Sequence, residues 1–237
     1  MNASRYIRSS LFFFCFALLQ PLCRAEESAA AYVTPSFTHS PDGRYGIMLP
    51  VFENATENEP DTRLNKVVNL VSKQVVSTIN AEPGFDRRLN FREVAPPKWS
   101  ADSSVLLWKV EGKWFPTALV LLHIADGKQE WQLDLLKTAQ EEILARTRKA
   151  VPERYAAAKK ANAGNGSAYP DGFTVDVVQD GANDDTVSLP MRFHVTLTAD
   201  PKEIEDFPAN LDSSLEATVT KDGKFVVNAF RIDKQKK

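Results

Sequence analysis

Cysteine is scarce in this chain: two of the 237 residues are cysteines, and both lie among the first 25. A disulfide framework, a thiol nucleophile or a thiolate metal site would therefore depend on Cys15 and Cys23 alone. If the N-terminal segment is removed, none of these remains possible. The rest of the chain must then be held together by its hydrophobic core, which a protein of this length is able to bury.

Continuous hydrophobicity is also limited. The apolar run at residues 11–19 has nine residues, whereas a transmembrane helix needs about 20. It follows Arg5 and Arg8 and is followed by the small residue Ala25, an order typical of a secretory signal peptide. We expect cleavage after Ala25, or alternatively after residues 29–31, export to the periplasm or the medium, and no transmembrane span in the mature chain.

Basic residues are not in excess. Removal of residues 1–25 takes away three arginines and no acid, which leaves 26 basic and 31 acidic residues and a net charge of −5. Nucleic acids and anionic membrane surfaces select for basic patches or stripes. We therefore expect neither as a partner.

Motifs that carry catalysis or bind metals are missing. The three histidines show no His-x-x-x-His or His-Glu-x-x-His spacing, and the sequence has no Gly-x-Ser-x-Gly, Ser-x-x-Lys or phosphate-loop motif. His123 and His194 lie inside apolar strand patterns and are interpreted as ordinary strand residues. We predict no catalytic residues, no metal site and no cofactor, and an enzyme is less favoured than a binding protein.

Three turn motifs of the form Ser/Thr-x-Asp each precede a run of residues that favours a strand. In such turns the aspartate usually accepts hydrogen bonds from its own backbone, so Asp42 and Asp102 are interpreted as turn-makers rather than as a catalytic pair of carboxylates. The motifs are Ser40-Pro41-Asp42-Gly43, Ser100-Ala101-Asp102-Ser103 and Thr220-Lys221-Asp222-Gly223.

The first of these motifs, extended to Arg44-Tyr45, resembles the repeat of TolB-type β-propellers, in which such a turn opens each blade. The second is similar, with Pro and Gly replaced. The resemblance covers residues 39–79 and 95–133, about a third of the chain, and implies two blade-like sheets. A propeller closes with four to eight blades, so two units and a helix do not complete one.

The periodicity predicts an α+β, β-rich fold. Two blade-like antiparallel units should occupy residues 26–135, and a long helix kinked or restarted at Pro152, followed by a C-terminal antiparallel meander, should occupy residues 136–237. These regions form either two domains or one. A capping box at Thr138 would start the helix, unless it begins one turn earlier.

Four tryptophans fall within 33 residues: Trp99, Trp108, Trp114 and Trp131. Aromatic rings can stack on a sugar or grip a peptide, but they also fill cores. The candidate ligand-binding residues are Trp114, with Phe115 beside it in the loop at residues 112–116, and then Trp108 and Trp99.

These observations favour an exported, non-catalytic binding or interaction protein of the cell envelope, whose partner is a protein or a glycan. One alternative is a hydrolase that uses dispersed carboxylates. Another is a structural accessory subunit, since open sheet edges invite oligomers or complexes.

The leader can be tested directly. When the full-length chain is expressed in a Gram-negative host, we expect to recover it from the periplasm with the mass of a chain that begins at Glu26. Intact-mass spectrometry of the periplasmic fraction checks this. A product that keeps residues 1–25, or that stays in the cytoplasm, would contradict the signal-peptide prediction.

Overall fold

A computed structural model describes residues 32–50, 64–79, 96–111, 116–162, 170–180, 187–199 and 211–233. These residues form three four-stranded sheets and two α-helices. The first sheet contains β1 (Tyr32–Val33), β2 (Tyr45–Pro50), β3 (Lys66–Asn69) and β4 (Val75–Thr78). The second contains β5 (Lys98–Trp99), β6 (Val105–Glu111), β7 (Pro116–Ala125) and β8 (Lys128–Asp134). The third contains β9 (Thr174–Gln179), β10 (Met191–Ala199), β11 (Leu211–Val219) and β12 (Phe225–Ile232).

Each sheet is an antiparallel meander in which every strand pairs with its neighbours in the sequence. The predicted α+β, β-rich class is therefore confirmed: two blade-like sheets, helical structure and a C-terminal meander, with no closed propeller in the described part of the chain. The helical part consists of α1 (Leu135–Ala150) and α2 (Pro152–Asn162).

The inner strands of the second sheet, β6 and β7, are largely buried on both faces. On one face Leu106 and Trp108 pack against Ile47 of the first sheet. On the other face Leu107 and Leu121 pack in a cluster with residues of the third sheet. Because both faces of β7 are largely covered, this strand reads as an almost unbroken apolar run instead of an alternating pattern.

Helix α1 begins one turn before the predicted capping box. Asp134 is its N-cap, and its carboxylate accepts a hydrogen bond of 3.1 Å from the Lys137 N–H. Val151, with φ −139°, ends the helix, and Pro152 starts the next, which confirms the predicted restart. None of the helices in the described ranges is long and apolar enough to cross a membrane.

Helix α2 is tied to the 3-10 turn Pro170–Gly172, which precedes the third sheet. The Tyr155 hydroxyl and the Lys159 ammonium donate to the two oxygens of Asp171, over 2.7 and 2.6 Å. The Tyr155 ring packs on Phe173, with centroids 4.8 Å apart. Burial, together with the bond to Asp171, raises the pKa of Tyr155, and the bond from Lys159 lowers the pKa of Asp171.

An indole bridges each boundary between sheets. Between the first and second sheets, the Trp99 Nε1–H donates to the Thr38 carbonyl over 3.2 Å. Between the second and third, the Trp131 Nε1–H donates to the Lys221 carbonyl over 3.1 Å, and the Trp131 ring lies against Gly223 so closely that a Cβ there would come within 2.7 Å of it. These contacts fix the position of each sheet relative to the next.

Replacement of Gly223 by alanine should therefore cost more stability than the same change at Gly43. Both glycines are left-handed, with φ 76° and 70°, which costs an L-residue about 1–2 kcal/mol. A Cβ at Gly43 meets nothing within 4 Å, whereas at Gly223 it displaces the Trp131 ring and adds about 1–3 kcal/mol of strain.

Urea unfolding of Gly223→Ala and Gly43→Ala beside the wild-type protein measures the difference. Equal losses of unfolding free energy in the two variants would contradict the contact between Trp131 and the turn.

Candidate functional site

The two turns that precede β2 and β6 are built by the same hydrogen bonds. In the first, the Ser40 hydroxyl donates to Asp42 Oδ1 over 2.8 Å, and the Tyr45 N–H donates to Ser40 Oγ over 3.0 Å. In the second, the equivalent bonds run from Ser100 to Asp102, 2.6 Å, and from the Val105 N–H to Ser100, 2.8 Å. Serine and aspartate thus satisfy the backbone of the turn locally.

The third turn, between β11 and β12, repeats this arrangement with threonine in place of serine. The Thr220 hydroxyl donates to Asp222, and the Lys224 N–H donates to Thr220 Oγ1 over 3.2 Å. The residue after each aspartate is left-handed, with φ 70° at Gly43, 62° at Ser103 and 76° at Gly223. All three motifs recognised in the sequence therefore form one kind of turn, one in each sheet.

The aspartates of the first two turns are strongly acidic. Burial acts to raise the pKa of Asp42, but hydrogen bonds from the Arg44 N–H, Ser40 and the Arg44 side chain outweigh it and lower the pKa from 3.8 to about 2. Hydrogen bonds from the Ser100 and Ser104 hydroxyls lower the pKa of Asp102 from 3.8 to about 2. Both carboxylates therefore act as charged turn-makers and not as proton donors.

The first and second turns also contact each other. The Arg44 guanidinium, which pairs with Asp42, donates through Nη2 to the Asp102 carbonyl over 3.3 Å. The Asp42 N–H donates to the buried Ser103 hydroxyl over 3.4 Å. These hydrogen bonds hold the first and second turns together at this end of the first two sheets.

A cleft of about 510 Å³ opens on the other side of the second turn, between the second and third sheets. Its volume lies within the range of small-molecule sites, about 300–1,000 Å³. One wall belongs to the second sheet, and the other to the segment before β10 and to the third turn. The lining residues are Ser100, Ala101, Asp102, Ser104, Val105, His123, Val187, Ser188, Leu189 and Lys221.

His123, on β7, is held in a fixed orientation at the cleft. Its Nδ1 lies 2.6 Å from Glu130 Oε2 on β8, and its ring stacks on Trp131 with centroids 5.6 Å apart. A carboxylate at one ring nitrogen fixes the orientation of the imidazole. The other nitrogen, Nε2, forms no hydrogen bond with any described residue, so it is available to a ligand.

Three further polar groups of the cleft are free to form additional hydrogen bonds or ion pairs. Within the described ranges, the Lys221 ammonium has no ion-pair partner and the Ser188 hydroxyl has no hydrogen bond. Asp102 accepts its side-chain hydrogen bonds through Oδ1, which leaves Oδ2 open. Apolar groups of Val105, Val187 and Leu189 lie among them. Such a mixture of apolar surface and a few polar groups is typical of ligand sites.

Trp99 and Trp108, two of the candidates proposed from the sequence, do not line this cleft. Trp99 is 5% exposed and Trp108 2%, so the ligand-binding prediction for these two is corrected: their rings are packed in the core between the first and second sheets. Trp114 and Phe115 lie outside the described residues.

His123 and Lys221 were not identified as site residues from the sequence, although signals for both existed. A two-residue hairpin at Asp126-Gly127 predicts that position 123 lies near position 130 on the facing strand; in the structure a register shift places His123 opposite Trp131, and Glu130 still contacts its ring. Lys221 occupies the middle of the third turn motif, where the other two have Pro41 and Ala101.

Comparison of the chain with protein-family models, with curated proteins and with solved structures found no match. The resemblance of the turns to TolB-type repeats therefore stays a prediction. No group of three or more histidine, cysteine, aspartate or glutamate side chains in the described segments is arranged to hold a metal ion.

The turn aspartates predict a specific loss of stability in acid. Their pKa values are about 2 in the folded state and 3.8 ordinarily, so their contribution is complete above about pH 4 and is lost as the pH falls towards 2. The double variant Asp42→Asn/Asp102→Asn should be less stable at pH 6 but should lose less unfolding free energy between pH 4 and 2. Urea denaturation across this interval measures both slopes, and parallel slopes would refute the assignment.

Proposed function

We propose that this protein is an exported, non-catalytic binding protein of the cell envelope that takes its ligand into the cleft between the second and third sheets. The observation that carries the proposal is the composition of the cleft: Asp102, His123 and Lys221, with unused hydrogen-bonding capacity, converge from two sheets beside apolar side chains.

The electrostatics favour binding over hydrolysis. A hydrolase that works with two carboxylates needs one whose pKa is raised, so that it can donate a proton. Among the described residues that line the cleft, Asp102 is the one carboxylate, and its pKa is lowered. A carboxylate-oriented histidine also suits a general base, but among the described residues no hydroxyl group forms a hydrogen bond with His123.

The walls of the cleft are suited to holding a ligand without rearrangement. Each is fixed by a turn whose hydrogen bonds are local, and Trp131 links the two walls through the Lys221 carbonyl and Gly223. A preorganised site loses little conformational entropy on binding. Export is supported by the N-terminal sequence pattern and by the absence of cysteine after residue 25.

The proposal is tested by filling the cleft. Thermal-shift screening with a library of short peptides and oligosaccharides should give hits that raise the Tm of the wild-type protein. Ala101→Trp should abolish these hits because Ala101 lines the cleft. Pro41→Trp, at the equivalent position of the first turn, should keep them.

Three results would overturn the proposal. One is the absence of any library hit, another is a set of hits that survives Ala101→Trp unchanged, and the third is turnover of a substrate by the mature protein on a broad hydrolase panel.

A further inference from the structure

Two opposite charges face the cleft from its two walls. Asp102 belongs to the turn of the second sheet, and Lys221 to the turn of the third. They line the same space, yet they form no ion pair with each other. The carboxylate stays ionised at neutral pH because hydrogen bonds lower its pKa to about 2.

Other basic residues on these turns, unlike Lys221, form ion pairs with a turn aspartate. Arg44 pairs with Asp42 on the first turn, and Lys224 pairs with Asp222 on the third. Lys221 therefore directly precedes Asp222, the carboxylate of the second pair, without being part of that pair. Its backbone is fixed, since its carbonyl accepts the Trp131 N–H, and its ammonium is left without an ion-pair partner within the described part of the chain.

The polar groups between these charges suit a peptide unit. Within the described residues, the Ser188 hydroxyl is free to donate to an amide C=O. Nε2 of the neutral His123 ring, whose Nδ1–H donates to Glu130, is free to accept from an amide N–H. Val105, Val187 and Leu189 supply an apolar surface for a side chain. A volume of about 510 Å³ limits the occupant to a small molecule.

We propose that the cleft binds a short peptide with free termini, whose ammonium group pairs with Asp102 and whose carboxylate pairs with Lys221. This inference rests on the proposed function and specifies its ligand. The peptide backbone lies beside Ser188 and His123, and an apolar side chain contacts Val187 and Leu189.

Other ligand classes leave charges unsatisfied. A neutral saccharide can hydrogen-bond to Asp102 and Lys221 through its hydroxyl groups but brings no opposite charge to either, so the burial of both charges is compensated less fully. A simple anion would pair with Lys221 but would be repelled by Asp102, and a simple cation the reverse. A ligand with both charges satisfies the two walls together.

Calorimetric titration with the dipeptide alanyl-leucine tests the inference on the unmodified mature protein. The same dipeptide with an acetylated N-terminus, and with an amidated C-terminus, removes one charge at a time. Each cap should weaken binding about ten- to hundredfold, the range that corresponds to a hydrogen bond to a charged group. Free leucine, which has both charges but no peptide unit, should bind more weakly than the dipeptide.

Two pairs of variants assign the contacts. Lys221→Met should remove the preference for the free carboxylate over the amide, whereas Lys224→Met should keep it. Asp102→Asn should remove the preference for the free ammonium over the acetylated form, whereas Asp42→Asn, which alters the same kind of turn, should keep it. Circular dichroism of each variant verifies the fold. The comparison of capped and free dipeptides on the wild-type protein does not depend on the folding of any variant.

The outcomes separate this inference from the proposed function. Equal binding of capped and free dipeptides, a preference that survives Lys221→Met, or equal binding of leucine would refute the peptide assignment. No binding of alanyl-leucine, together with a library hit that Ala101→Trp abolishes, would refute the inference and support the proposed function. The absence of any hit would refute both.

Discussion

Burial of β6 and β7, the inner strands of the second sheet, on both faces is the constraint on which the described structure depends. Strands β6 and β7 present apolar side chains alternately to the two sides, and an exposed face would cost about 1.5–3 kcal/mol for each large aliphatic side chain left in water. The first sheet covers one face, and the third sheet and α1 cover the other. The order of layers follows from this requirement.

The cleft is a consequence of the same packing. It lies between the second and third sheets and is bounded by a turn from each of them. Trp131 closes the boundary on one side by contacting Gly223 and the Lys221 carbonyl. The polar residues of the turns then meet apolar residues of the segment before β10, which produces a site that neither sheet contains alone.

Much of the local structure could be predicted because its causes are local. Alternation, the Asp126-Gly127 hairpin and the restart at Pro152 each depend on a few neighbouring residues. The two-residue strands β1 and β5 could not, since two residues carry no periodicity. The cleft could not either, because it unites residues 100–105, 123, 187–189 and 221 through contacts between sheets. Trp99 and Trp108 were equally ambiguous, as the same ring serves in a core or in a site.

The three turns separate what folds the chain from what the chain displays. Serine or threonine and aspartate make the side-chain hydrogen bonds, while the residue between them contributes none: it is Pro41, Ala101 or Lys221. The side chain at the middle position can therefore vary, because the hydrogen bonds that build the turn do not depend on it. A single substitution at this position can change the surface chemistry at the end of a sheet with little loss of stability. These turns are therefore suitable positions at which to diversify the sequence or to engineer a new binding specificity.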